Sequence, residues 1–201
     1  MPNDQYPSLS GVKFVGDLSL QDANILAEWS AYNDVLEFGS GGSTQIFAQC
    51  ANSVVSVETD HAWVKKTEDN LRLIEDRCPV QFVPYDLFRY DQKFNVIFVD
   101  GVLDKRLNFA IKAWSCLKVG GCMIFHDTRH FDNFKDAAWL MQSVFSEINT
   151  VYVNERDSNL TIIVKREPVQ YVNWNETENK PKWAYGIGDR PEGEGLWTLG
   201  N

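Results

Sequence analysis

Paired cysteines, basic runs and long apolar stretches are all missing from this sequence, and each absence narrows what the chain can be. The four cysteines, Cys50, Cys78, Cys116 and Cys122, form no CxxC pair and lie within or beside apolar segments. That excludes a CxxC zinc or redox element and reads as reduced core thiols. Only 19 Lys and Arg stand against 28 Asp and Glu, a formal charge of −9, so no nucleic-acid partner is expected: phosphate binding needs a basic surface that releases counterions. No apolar stretch approaches the roughly 20 residues that span a bilayer. Met1-Pro2-Asn3-Asp4-Gln5 also lacks the basic start and apolar core of a secretion signal, so the expected location is cytoplasmic, with no membrane partner. There is no internal repeat.

What is present is a glycine-rich turn in an informative setting. Val35-Leu36-Glu37-Phe38 is a short apolar run carrying an acid, Gly39-Ser40-Gly41-Gly42-Ser43-Thr44 follows, and Val54-Val55-Ser56-Val57-Glu58 is a second apolar run ending in an acid. Strand, tight turn, helix and strand in this order form the opening half of a nucleotide-binding βαβ unit. The glycines let the backbone turn sharply and approach a ligand, and the helix start offers free N–H groups and a positive dipole end. Glu58, roughly 20 residues beyond the first glycine, sits where a carboxylate accepts the hydroxyls of a ribose.

The alternation continues along the chain. Ser19 and Asp22 cap a helix running toward Tyr32 through Leu20, Ala23, Ala27 and Trp29. Strands are expected at Val35 to Phe38, Val54 to Val57, Val80 to Val83, Phe94 to Asp100 and Cys122 to Phe125, with helices from Ser43 to Cys50 and His61 to Ile74. Ala110, Ile111, Trp114 and Leu117 mark a helix that Val119-Gly120-Gly121 ends, and Phe134, Ala137, Ala138, Met141, Val144 and Phe145 mark another. Thr150 to Val153 and Leu160 to Val164 read as a closing hairpin. The expected fold is α/β: a Rossmann-like, doubly wound, seven-stranded, mostly parallel sheet with helices on both faces and an antiparallel C-terminal hairpin. Residues 1–165 form one domain with an N-terminal helix, and residues 166–201 an irregular tail whose Trp174, Trp183 and Trp197 pack on the domain, cover the site or contact a second copy in a homodimer. Trp63 and Trp114 fall on apolar helical faces, and Trp63, soon after Glu58, also stands where it can edge the nucleotide-base pocket.

From Val35 to Val164 the order and spacing of these pieces resemble the class I S-adenosylmethionine-dependent methyltransferases. Glu37-Phe38-Gly39-Ser40-Gly41-Gly42 is similar to that family's acid-x-Gly-x-Gly loop, Glu58 to its ribose acid, Asp86 to the polar position after the third strand and Asp100 to the acid ending the fourth. Ser43 stands where many members have a third glycine. The resemblance implies S-adenosylmethionine as cofactor, with Gly39 and Gly41 near the methionine moiety, Glu37 orienting its ammonium directly or through water, Glu58 on the ribose and Asp86 on the adenine amino group. Phe38, Ser43, Thr44, Thr59 and Asp100 complete the implied cofactor pocket. A cationic sulfonium tolerates an acid-rich pocket that a diphosphate would find repulsive, and the dinucleotide GxGxxG pattern fails because Thr44 holds its last place.

Within the family, the spacing from Asp100 to Asp127 is similar to that of the catechol and caffeoyl-CoA type O-methyltransferases. Those enzymes hold a divalent metal such as Mg on an acid after strand four and an Asp-Asn pair after strand five. Asp100 and Asp127 match two ligands, and Thr128 replaces the asparagine. His126 and His130 are candidates to compensate as ligands or as a general base, since neutral imidazole takes a proton near pH 7. Asp100, His126 and Asp127 are thus the catalytic candidates, and Arg106, Arg129 and His130 the candidates for contacting a small-molecule acceptor. Methyl transfer to a hydroxyl oxygen is the expected activity. A non-catalytic nucleoside-binding protein of the same fold and an NAD-dependent oxidoreductase remain the alternatives.

Overall fold

Helices and strands alternate along residues 18–169, the part of the chain that the computed structural model describes. The elements are α1 (Leu20–Ser30), β1 (Asp34–Phe38), α2 (Gly42–Cys50), β2 (Ser53–Glu58), α3 (His61–Leu71), β3 (Val80–Pro84), β4 (Phe94–Val99), α4 (Leu103–Trp114), β5 (Leu117–His126), α5 (Phe131–Ser143), β6 (Ile148–Val153) and β7 (Leu160–Lys165). The seven strands form one sheet in the order β3-β2-β1-β4-β5-β7-β6. Pairing is parallel from β3 through β5, and β7 runs antiparallel to both β5 and β6. The closing hairpin is therefore threaded inward: its second strand pairs with β5 and its first becomes the sheet edge.

Alternation along the strands explains the two layers of helices. Leu36, Phe38, Ile97, Val99, Met123 and Phe125 face one side and pack with Phe109 and Ala113 of α4 and Phe134 and Ala137 of α5. Val35, Val54, Val96, Phe98, Cys122 and Ile124 face the other and meet Leu26 of α1 and Ile46 and Phe47 of α2. Both faces are closed by aromatic pairs: Phe38 stacks on Phe109 at 4.6 Å, and Phe47 meets Phe98 edge-on at 5.5 Å. Each such ring, fully buried, contributes roughly 1.5–3 kcal/mol of transfer free energy. Cys50, Cys116 and Cys122 are buried free thiols and Cys78 is half-buried, as their apolar settings suggest.

Several boundaries differ from expectation. Leu117 to Gly121 is not a helix end but the first half of β5, with Leu117 paired to Phe94 and a register shift before Val96 pairs with Cys122. Gly120 takes φ +81°, and a Cβ on Gly121 would collide with the Asn95 carbonyl, so the glycines serve a bulge that lets β5 bend along β4. Ile111, one residue off the buried stripe of α4, is exposed. α3 stops at Leu71, and Ile74 reaches the core from the following turn, against Ala48 and Leu71. Phe145 lies beyond α5 and is exposed. Trp174, Trp183 and Trp197 lie outside the described residues. Among the described residues no helix is long and apolar enough to cross a membrane.

Candidate functional site

The carboxyl ends of β1, β2, β4 and β5 open into a cavity of about 450 Å³ lined by Gly39 to Ser43, Glu58 to Asp60, Trp63, Asp100 to Leu103, Arg106, His126 and Asp127, with Leu18 at its edge. Gly39 makes this convergence possible. It adopts φ +94°, and a Cβ there would lie 2.7 Å from the Gly101 nitrogen and 2.8 Å from the Asp100 carbonyl, so only glycine lets the β1 and β4 turns touch.

Beneath the glycine turn lies Glu37, without exposure to solvent. Ser43 donates a hydroxyl to its Oε1, while Thr44 and Ser56 donate to Oε2 at 2.6 and 2.7 Å. Thr44 in turn accepts the Gly41 N–H at 2.8 Å. Burial raises the Glu37 carboxyl to about 7, against the three hydroxyl bonds and aided by the charge of Asp100. Expected to orient a cofactor ammonium directly or through water, Glu37 has its carboxylate outside the cavity lining, where it bonds the turn through Ser43 and Thr44. Thr44, buried beside it, and Phe38, packed into the α4 layer, likewise support the cavity without lining it.

Glu58 ends β2 at the cavity wall. Its Oε2 accepts the Ser40 N–H at 2.8 Å and the Ser40 hydroxyl at 3.1 Å, and its Oε1 accepts the Thr59 and Asp60 N–H groups at 2.6 and 3.1 Å. Trp63 of α3 donates its indole N–H to the Ser40 carbonyl, so the glycine turn is held on both flanks. Asp86 sits in a 3₁₀ turn after β3, exposed and outside the lining residues.

The other end of the cavity is ionic. Asp100 Oδ1 accepts from Arg106 Nη2 at 3.0 Å and lies 3.1 Å from His126 Nδ1, while Arg106 also donates to the Gly101 carbonyl at 2.6 Å. Asp127 Oδ1 lies 3.5 Å from the same His126 nitrogen. Burial alone would lower the imidazole; the Asp100 carboxylate bonded to it, the Asp22 carboxylate facing it and the charge of Asp127 outweigh burial and push His126 up to about 10. That upward shift disfavours the general-base role expected for His126. Arg129 and His130 are exposed and outside the lining. Arg129 bonds the Ser158 carbonyl, and His130 precedes α5 as its cap residue.

One oxygen of Asp100, one of Asp127 and one ring nitrogen of His126 lie within 4.8 Å of one another, a donor set of two carboxylates and an imidazole that fits a small divalent cation. Such a cation takes the place of the ring proton, since a ligating histidine is neutral. The third donor is His126, before Asp127, rather than the residue after it: Thr128 is buried and turns its hydroxyl to Asn154 Oδ1 at 2.8 Å. Ser56, Asp22 and Asn159 complete the arrangement without a warning in the sequence for this role, and Ser40 does so with only its position in the glycine turn as a signal.

A seven-stranded sheet with this order, one antiparallel strand and a glycine turn facing two strand-end acids is the fold of the class I S-adenosylmethionine-dependent methyltransferases. No protein-family model matches the sequence, and no curated protein matches it. Among solved structures, a methyltransferase-like protein from Silicibacter pomeroyi aligns with TM-score 0.59 at 18% identity over 79% of this chain and 92% of its own. An O-methyltransferase from Bacillus cereus, solved with S-adenosylhomocysteine, gives 0.55 at 16% identity over 74% and 83%. A tRNA methyltransferase from Aquifex aeolicus gives 0.61 at 18% over 80% and 77%. At these identities the likeness is one of fold, and it extends to proteins with very different acceptors.

Proposed function

We propose that the protein transfers a methyl group from S-adenosylmethionine to a hydroxyl oxygen of a small molecule. The observation that carries this reading is the chemistry of the cavity wall. Four carboxylates, of Glu58, Asp60, Asp100 and Asp127, face it with the one guanidinium of Arg106, a setting that favours a cationic sulfonium and repels a dinucleotide diphosphate. Gly39 and Gly41 leave room for the methionine moiety, Glu58 takes the ribose hydroxyls, and Trp63 borders the adenosyl group. Asp100, His126 and Asp127 would hold a divalent cation, which when bound would lower the pKa of an acceptor hydroxyl. Arg106 fixes Asp100 in place, and the exposed Val102 and Leu103 offer an apolar edge to the acceptor body. A cavity of this size suits a small ligand. Because the methyl is already activated on sulfur, holding the acceptor oxygen in line supplies most of the rate.

Isothermal titration with S-adenosylhomocysteine, S-adenosylmethionine and NAD tests the donor. Binding of the first two that Gly41→Arg abolishes is expected; preference for NAD, or no binding at all, overturns the reading.

A further inference from the structure

We propose that Asp22 of α1 is a positioning residue for the reaction centre, acting through His126; this rests on the reading that Asp100, His126 and Asp127 hold a divalent cation. Asp22 caps its own helix, with Oδ2 accepting from the Ser19 hydroxyl at 2.6 Å and the Ser19 N–H at 3.2 Å. A capping acid needs no more than that and is at ease in water. Asp22 instead is fully buried, and its Oδ1 accepts the Asn159 N–H at 2.7 Å. Burying a carboxylate so completely is costly unless something nearby answers its charge.

The answering group is His126. Its ring is 2% exposed, with Nδ1 turned to Asp100 and Asp127, and its Nε2 is buried without a hydrogen-bond partner. The group facing that nitrogen is Asp22 Oδ2, at 3.9 Å. Metal-ligating histidines generally present their second nitrogen to a carboxylate, which fixes the ring's tautomer and orientation and raises its basicity. Asp22 supplies that carboxylate from an element well outside the glycine loop and the strand ends. Asn159 ties the arrangement together, because the residue whose N–H holds Asp22 also donates Nδ2 to Asp127 Oδ1 at 2.9 Å. The imidazole and the β5 acid are thereby registered against one helix, with Nδ1 of His126 as the nitrogen given to the cation.

The test uses the full chain saturated with S-adenosylhomocysteine and titrated with Mn(II), followed by electron paramagnetic resonance. Wild type is expected to bind one Mn(II) with a nitrogen coupling that His126→Ala removes. Asp22→Asn keeps an oxygen for the Ser19 cap but loses the charge facing the ring, and is expected to weaken Mn(II) about 10–100-fold. Asp22→Glu is expected to recover part of the loss, and Ser19→Ala, which removes the cap and its bond to Asp22 Oδ2 but leaves the charge facing the ring, to weaken Mn(II) far less than Asp22→Asn. Equal Mn(II) affinity in Asp22→Asn and wild type overturns the proposal, as does a Ser19→Ala loss as large as that of Asp22→Asn. If Asp22→Asn does not fold, nitrogen NMR of the wild-type ring with Zn(II) bound decides: a proton on Nε2 is expected, and a proton on Nδ1 overturns the proposal. Homocysteine-ligand binding without any Mn(II) binding removes the cation site and this proposal and leaves the methyl-donor reading intact; absence of both removes the donor reading as well.

Discussion

Glu37 is fully buried, and three hydroxyls and its own proton settle its energy. Its folded value of about 7 lies above the ordinary 4.5, so the folded state binds this proton more tightly than the unfolded chain does. The stabilising contribution is complete below about pH 4.5 and is lost as pH rises through about 7, a span worth roughly 3 kcal/mol. Glu37→Gln removes the titration, so urea midpoints measured at pH 5 and pH 8 are expected to fall with pH in wild type and to fall much less in the variant. An equal fall in both sinks the argument. Gly39 gives a second prediction at this scale. Gly39→Ala forces a Cβ against Asp100 and Gly101 at φ +94°. It is expected to cost about 1–3 kcal/mol of stability and to eliminate measurable S-adenosylhomocysteine binding by calorimetry. The glycine's importance was legible in the sequence, because the turn needs a residue without a Cβ. The inward place of Glu37 was not: a pattern of residue types does not say that Ser43, Thr44 and Ser56 all aim at one carboxylate.

Among the elements, α3 and β5 show how local signals are completed or overridden by neighbours. The apolar spacing made α3 readable, yet its value to the site is one indole bond across to Ser40. Trp63→Phe keeps the helix and drops that bond. It is expected to weaken S-adenosylhomocysteine by up to about tenfold, the worth of one hydrogen bond, with little change in melting temperature; an unchanged Kd counts against the role of Trp63 in holding the turn. In β5, Val119-Gly120-Gly121 has the composition of a helix terminus. Pairing with β4 decided otherwise, since Leu117 and Phe94 are both buried and extended pairing satisfies their backbones. Gly121→Val is expected to destabilise by about 2 kcal/mol or more while leaving ligand affinity in the surviving folded protein intact, because the bulge lies at the far end of β5 from the cavity.

For the whole molecule, the two helical layers and the cleft are one cooperative object. Phe98 lies fully buried between β1 and β5 beneath the site, against Phe47. Phe98→Ala is expected to cost about 3–5 kcal/mol. S-adenosylhomocysteine at a hundred times its Kd is expected to return about 2.7 kcal/mol by binding the native state alone. Paired denaturation curves with and without ligand check both figures. If the ligand fails to shift the unfolding midpoint of either protein, it does not bind the native state.

The sequence by itself determined the alternation of strands and helices, the glycine turn and the acids at the ends of β2, β4 and β5, because each rests on short-range periodicity or on a residue type that a backbone conformation demands. Tertiary structure alone decided that β7 inserts between β5 and β6, that Glu37 turns under the loop, and that Asp86 stays outside the cavity. It also decided that Asp22 and Asn159 stand behind His126 and Asp127. Those facts depend on contacts between residues far apart in the chain, up to 137 positions for Asp22 and Asn159. Only packing the sheet between its helical layers brings them together, and no local pattern records them.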